Sequence, residues 1–473
     1  MKKVSALLLA CLILNSCSLA PKYKKPVMDM PEQQLTGDIS AFVNPKWWEM
    51  FGSENLNALV EEALKNNQSL ASALARTEQA FAQFKMTRSG LLPSAGVGAS
   101  ANWGTQTPSG QIVSSPLEIY SVAPMVSFEL DIWGKNRSLS ESDKAKYFAT
   151  KAAYDLSRLM AASNVVNAYF LILALDANIE ILKSAIADGE KITDIYSKRL
   201  KAGTASKSDY LRVKANNETD KANLVDLQIQ LSSAQSALAV LCGRSPSDIV
   251  TGSISRNKNI NQLIITPDVP EGLNSDILNR RPDVLQAEQN LISANALIGA
   301  ARADYLPSIT LTGTAGYASS SLSHLIASGT GFWGLAGGLA APIFQGGKIR
   351  AENKAAEAAF RQARAEYHLA VENAFKDVYD ALTANRLRRD VLAHYGQAAN
   401  DMQESYAMAQ AQFNAGVIDT VNLLDIKRTM LNAQLAMVNS QYNLLTALSG
   451  LSKALGGGWV ARGDGDKKRQ QLP

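Results

Sequence analysis

The chain is poor in the residues that metal and redox chemistry use. It holds three cysteines and three histidines in 473 residues. The histidines, His324, His368 and His394, are scattered, and none stands at metal-ligand spacing from Cys, Asp or Glu. No Gly-rich loop follows a strand and opens a helix on a lysine, which removes the usual phosphate cradle. The methionines are dispersed, which argues against a soft-metal store. The chain therefore reads as a non-enzyme with no cofactor and no bound metal. A net charge of +4 with acid and base intermixed excludes a nucleic-acid stripe. Beyond the N-terminus no run of about 18 consecutive apolar residues occurs, so no uninterrupted apolar helix is long enough to span a bilayer. Aromatics are only 7%, while Ala, Ser, Gln, Asn and Leu are common, a composition suited to long helices packed closely together.

The N-terminus reads as a targeting segment over 1–16. Lys2-Lys3 precede an apolar stretch from Val4 to Leu14, too short to cross a membrane. Leu14-Asn-Ser-Cys17 has the pattern of a bacterial lipobox, which would leave Cys17 as a lipid-bearing N-terminal residue; the competing reading is ordinary signal cleavage near Ala20. Ser18, where aspartate often retains lipoproteins at the inner membrane, favours the outer membrane. Cys11 is lost with the signal, so Cys242 has no intramolecular partner and reads as a small buried apolar residue near a helix end. Residues 17–53 read as a lipidated, Pro-bearing tether.

What the chain does have is a duplication. Leu92-Pro93 returns as Leu306-Pro307, and the following landmarks return at a spacing of about 213 residues. Gly134-Lys135 is matched by Gly347-Lys348, Ala202-Gly203 by Ala415-Gly416, and Leu241-Cys-Gly243 by Ala454-Leu-Gly456. The first repeat covers 54–243 and the second 280–456. A Pro-, Gly-, Asn- and Ser-rich linker over 244–279 separates them, and a polar tail follows over 457–473.

Each repeat contains two runs with a period of two. Ala95, Val97, Ala99, Ala101 and Trp103 alternate with small or polar residues. So do Tyr120, Val122, Pro124, Val126, Phe128, Leu130 and Ile132, and in the second repeat Ile309, Leu311, Gly313, Ala315 and Tyr317. Trp333, Leu335, Leu339, Ala341 and Ile343 share one face of the fourth run. A loop is expected over 105–118 and another over 318–331. About ten residues suits a tilted membrane strand, and aromatics lie near the ends. Four strands cannot close a barrel, so they form either a small soluble sheet or a share of a barrel pooled between chains. Helical periodicity is expected over 54–89, from Gly134 to Leu200, over 206–241, over 282–304, from Lys348 to Phe413, and onward to Leu455. At about 1.5 Å per residue the long runs reach roughly 100 Å, which requires coiling against neighbouring helices.

Two glycine turns join these helices. Gly203 is followed by Asp209, and Gly416 by Asp419 and Asp425. Reversing helices need such glycines, and capping accounts for Asp209 and Asp419. It does not account for Asp425, which lies about two turns into its helix, beyond the reach of the helix dipole. Arg280-Arg-Pro-Asp283 reads as a helix start.

With these residues in view, the chain resembles the TolC-like outer-membrane efflux proteins, in their NodT-type lipoprotein branch. The resemblance covers nearly all of the mature chain. It is carried by Cys17-Ser-Leu-Ala-Pro-Lys-Tyr23, Arg280-Arg-Pro-Asp-Val-Leu-Gln-Ala-Glu288, Ala294-Asn-Ala-Leu-Ile-Gly-Ala-Ala301, Leu306-Pro-Ser-Ile-Thr-Leu-Thr312, Pro342-Ile-Phe-Gln-Gly-Gly347 and Ala454-Leu-Gly-Gly-Gly-Trp459. It implies a mainly α fold with a long coiled-coil periplasmic barrel and a twelve-stranded transmembrane β-barrel shared by a homotrimer. It implies a passive outer-membrane exit duct for drugs, other toxic small molecules or metal ions, anchored by lipid (palmitate) at Cys17. Its partners would be a periplasmic adaptor protein, an inner-membrane RND-type transporter and outer-membrane lipid, with no nucleic acid. It places Gly203, Asp209, Gly416 and Asp419 at the adaptor-docking tip, and Asp425, Val421 and Asn422 at the pore constriction. Asn422 stands where some relatives carry a second acid. A type I secretion duct for polypeptides and a non-channel periplasmic coiled-coil scaffold are the alternatives.

Overall fold

The computed structural model describes residues 19–28, 40–106, 112–256, 258–263 and 281–457. The signal segment, Cys17, Arg280, residues 257 and 264–279 of the linker expected over 244–279, and all but the first residue of the tail lie outside these. Among the described residues the elements run α1 (Ser40–Val43), α2 (Glu54–Asn66), α3 (Gln68–Ser89), β1 (Ser94–Gln106), β2 (Ile112–Glu129), α4 (Lys135–Lys201), α5 (Lys207–Leu241), α6 (Pro246–Thr251), α7 (Pro282–Ala303), β3 (Ser308–Ser319), β4 (Gly331–Ala340), α8 (Lys348–Asn414) and α9 (Thr420–Ala454). The duplication is visible in their lengths. α3 and α7 have 22 residues each, α4 and α8 have 67 each, and α5 and α9 have 35 each. The chain forms two compact units, and both long helices contribute to each.

The first unit (1–28, 75–151 and 286–369) contains an antiparallel sheet in the order β1-β2-β3-β4. The pairing Val97↔Pro124, Ala99↔Val122, Val122↔Tyr317, Phe128↔Leu311 and Gly313↔Leu335 puts the apolar members of all four runs on one face. Large residues face small ones across strands, as in Leu311↔Gly337 and Gly313↔Leu335, which lets the side chains interleave. The opposite face carries Ser100, whose hydroxyl pairs with that of Ser121 at 2.9 Å, together with threonines of β3. Pro124 has no N–H to give, and the β2–β3 ladder is interrupted there, between Val122 and Met125. Among the described residues of one chain, β1 and β4 each keep an edge with no strand partner.

Three sequence expectations are corrected here. The loop expected over 105–118 is largely strand, because β2 begins at Ile112; a register irregularity between Gly104 and Gln106 hides the alternation. β2 accordingly ends at Glu129, not Ile132. β4 ends at Ala340, so Ala341 and Ile343 lie beyond it.

The strap over 19–28 belongs to the same unit and lies antiparallel along α7. Asn295 Nδ2 donates to the Pro21 carbonyl at 2.7 Å, and Lys25 pairs with Glu288 at 3.0 Å. A Cβ on Gly299 would stand 2.6 Å from that of Ala20, so glycine is what admits the strap.

The second unit (29–74, 152–285 and 370–473) is helical. The single helix expected over 54–89 is broken at Asn67, whose ψ of 123° is extended. Its side chain does two jobs. Oδ1 accepts from the Ser69 and Leu70 amides and caps α3, while Nδ2 donates to the Leu241 carbonyl at α5's end at 2.7 Å. The far end of the expected tether is packed into this core. Trp47 and Phe51 are buried, and Phe51 meets Phe170 edge-on at 4.8 Å. α4 also contains an 18-residue window apolar enough to cross a membrane by length and composition, which the test for uninterrupted runs passes over. That window is 61% buried inside the protein. Cys242 is fully buried at the C-cap of α5, and desolvation pushes its thiol up to about 11.

Candidate functional site at the helical turns

Both turns are built alike. In the first, Thr204 N–H donates to the Arg199 carbonyl at 2.9 Å, Gly203 N–H to Leu200 at 3.1 Å, and Gly203 has φ 72°. In the second, Val417 N–H donates to Gln412 at 2.9 Å, Gly416 N–H to Phe413 at 3.0 Å, and Gly416 has φ 75°. A Cβ would meet nothing at either glycine, so the left-handed backbone alone demands it. The return helices are then capped. Ser206 Oγ accepts from Asp209 N–H at 3.0 Å and donates to the Asp209 carboxylate at 2.6 Å. Asp419 is itself the N-cap of α9, accepting from Asn422 N–H at 2.9 Å.

An apolar cluster joins the two turns. It includes Ile192, Tyr196, Val213, Tyr406, Phe413 and Leu423. Tyr196 and Phe413 stack at 6.2 Å, and the Arg199 guanidinium lies over both rings at 5.7 and 5.4 Å. Burial raises the Tyr196 pKa, against the pull of Arg199, with Asp209 and Asp419 adding to the rise. The two capping acids of the separate turns thus act on one ring. Gly203, Asp209, Gly416 and Asp419 lie at one end of the paired hairpins.

Val421, Asn422 and Asp425 occupy the first two turns of α9, and all three are exposed. Val421 and Asp425, four apart, share a face. Asp425 accepts from Arg428 at 3.0 Å, with both side chains largely exposed at 65% and 74%. Such a pair is weak in water, so the carboxylate stays available. The i,i+3 rule would have found Arg428 in the sequence.

Two other residues reach partners that the sequence does not reveal. Lys427 is only 6% exposed and donates to the Ala185 carbonyl of α4 at 2.6 Å. Arg281, next to the helix-opening Pro282, is 7% exposed; it pairs with Asp283 and Asp377 and donates to the carbonyls of Ala374 and Ala454. It thereby satisfies the last carbonyl of α9. A lysine or arginine in a helical pattern reads as solvated surface, and only the fold shows what it reaches.

Among the described residues, no three His, Cys, Asp or Glu side chains converge as a metal site would need. The family model described as "Outer membrane efflux protein" matches residues 59–244 and 273–457, one match for each repeat. The chain is 29% identical to the cation efflux system protein CusC of Escherichia coli O157:H7, over 95% of this chain and 97% of that one. It is 30% identical to the probable outer membrane lipoprotein SilC of Salmonella typhimurium, over 95% and 97%. It is 31% identical to the solvent efflux pump outer membrane protein SrpC of Pseudomonas putida, over 97% and 99%. Among solved structures, the outer membrane channel CmeC of Campylobacter jejuni superposes with a TM-score of 0.88 at 27% identity, covering 96% of this chain and 98% of that one.

Proposed function

Because the chain belongs to the outer membrane efflux protein family, we propose that three copies form a passive exit duct whose constriction is lined by Asp425, Val421 and Asn422. The protein is an outer-membrane efflux channel component, and its residence is the outer membrane with extension into the periplasm. The trimer rests on one observation. Four strands of membrane-compatible length present a single apolar face, exposed at Val97, Trp333 and Leu335 (74%, 78% and 83%), and end in two unpaired edges. Edges and face are both satisfied when twelve strands from three chains close a barrel.

The non-enzymatic reading is supported by this membership in a family of outer-membrane channel proteins. Energy then comes from an inner-membrane RND-type transporter, linked by a periplasmic adaptor that docks on the exposed turns at Gly203, Asp209, Gly416 and Asp419. Cys17 is the lipid attachment site, a reading supported by the lipobox and by the likeness to a probable lipoprotein. The domain plan is that of the two repeats: signal 1–16, tether 17–53, repeats 54–243 and 280–456, linker 244–279 and tail 457–473.

Substrate choice belongs to the pump. Relatives named for cation and for solvent efflux lie at similar distances from this chain, at 29% and 31% identity. Family membership sets aside the soluble scaffold, and relatives named for cation and solvent efflux favour small cargo over a polypeptide secretion duct. The test is conductance of the purified trimer in planar bilayers. Asp425→Ala is expected to raise the leak of small ions and reduce cation preference. Parent-like conductance and selectivity would remove Asp425 from the constriction.

A further inference from the structure

Three helices of the second unit meet at a residue without a side chain. Gly189 lies in α4, one turn beyond Ala185, so it covers the Ala185 carbonyl. Lys427 reaches over Gly189 from α9 and donates to that carbonyl at 2.6 Å. Asn217 of α5 fills the rest of the space and is 5% exposed. Among the described residues its Oδ1 has no hydrogen-bond partner. A Cβ on Gly189 would collide with Asn217 Oδ1 and stand 3.2 Å from Lys427 Nζ. The junction opens on a cleft of about 540 Å³ lined by Asn216, Asp220, Leu424 and Arg428. The seat is therefore built, since the glycine makes room for both polar side chains and the lysine has one well-placed acceptor.

Lys427 and Asp425 are two residues apart on one helix and point to opposite sides, one buried and one 65% exposed. Anything that fixes the buried side of α9 fixes the exposed side as a rigid body. We propose that Gly189, Asn217 and Lys427 form a latch that sets the rotation and register of α9 against α4, and that its release lets the end of the α8–α9 hairpin move. Lys427 is thus a positioning residue for the constriction, and this inference rests on the reading of Asp425 as a constriction residue. The turn glycines allow the chain to reverse, whereas the latch decides where the reversed helix stands.

Full-length trimers of the parent, Lys427→Met, Lys427→Gln and Gly189→Ala are compared in planar bilayers, with Asp425→Ala in parallel. Methionine keeps the volume of lysine and loses the donor, while glutamine keeps a donor. The open fraction is expected to rise about tenfold in Lys427→Met, as for the loss of one charge-assisted hydrogen bond that biases two states, and less in Lys427→Gln. Gly189→Ala is expected to match Lys427→Met; should it fail to assemble, the Met–Gln–Lys order still decides. A lowered melting temperature with an unchanged open fraction in all latch variants would overturn the latch and leave a purely structural lysine. If Lys427→Met opens the channel while Asp425→Ala behaves as parent, the latch stands and the constriction assignment falls. If only Asp425→Ala changes conductance, the latch falls alone.

Discussion

A lysine at 6% exposure titrates differently from one in water. Desolvation lowers the pKa of Lys427 from its usual 10.5, against the opposing fields of Asp220 on α5 and Asp188 on α4. The unfolded chain holds a lysine at its ordinary value. Between the lowered folded value and 10.5, the unfolded state therefore binds more protons, and the contribution of Lys427 to stability rises with pH across that window. Below the window, burial of the charge is a constant penalty. Thermal unfolding of the parent, measured relative to Lys427→Met as pH is raised toward about 10.5, is expected to show the parent gaining on the variant. A difference that stays level with pH would refute the lowered pKa. Asp220 shifts the other way: burial raises its pKa, so its carboxylate is held at some cost as pH rises above 3.8.

At the scale of elements, what was legible in the sequence followed a short-range rule. The period of two in Val97–Trp103 and Ile309–Tyr317 named the face that the pairing later brought together. Gly203 and Gly416 named turns because no other residue sits easily at φ above 70°. What was illegible depended on distant residues. The break at Asn67 carries neither Pro nor Gly; it is made by a side chain reaching Leu241, 174 residues away. Trp47, Trp48 and Phe51 read as part of a tether because Phe170, which Phe51 meets, lies far along the chain. Lys427 needed Gly189 and Asn217, and neither stands out in the sequence alone. The equal lengths of α4 and α8, and of α5 and α9, make a further expectation. One extra residue rotates everything beyond it by about 100°, whereas seven restore the face. A heptad added to α4 alone is expected to abolish a heat-stable trimer on gels, because its turn no longer meets its neighbour. A heptad added to α4, α5, α8 and α9 together is expected to retain it.

For the whole molecule, the sheet decides the outcome. Leu335, on the apolar face and 83% exposed in the single chain, would point to lipid in the proposed barrel, whereas Thr312 lies on the opposite face. A charge at Leu335 should therefore be costly and one at Thr312 tolerated: about 2–4 kcal/mol is expected for Leu335→Arg if it sits near mid-membrane, and little for Thr312→Arg. The yield of heat-resistant trimer in the outer-membrane fraction measures both. Equal yields would deny the barrel, and a lower yield for Thr312→Arg than for Leu335→Arg would place the faces the other way round.

The unpaired edges of β1 and β4 also carry a genetic consequence. A barrel made of three identical shares has no tolerance for one defective share, because each copy supplies both the edge that receives and the edge that is received. If a chain altered at one edge still enters assembly, equal expression with the parent leaves about one barrel in eight wholly intact under random mixing of a three-copy ring. Such alleles would be dominant. Loss-of-expression alleles would be recessive, because the remaining chains are sound. Dominance in a merodiploid strain is thus a cheap readout of which residues lie on a shared edge.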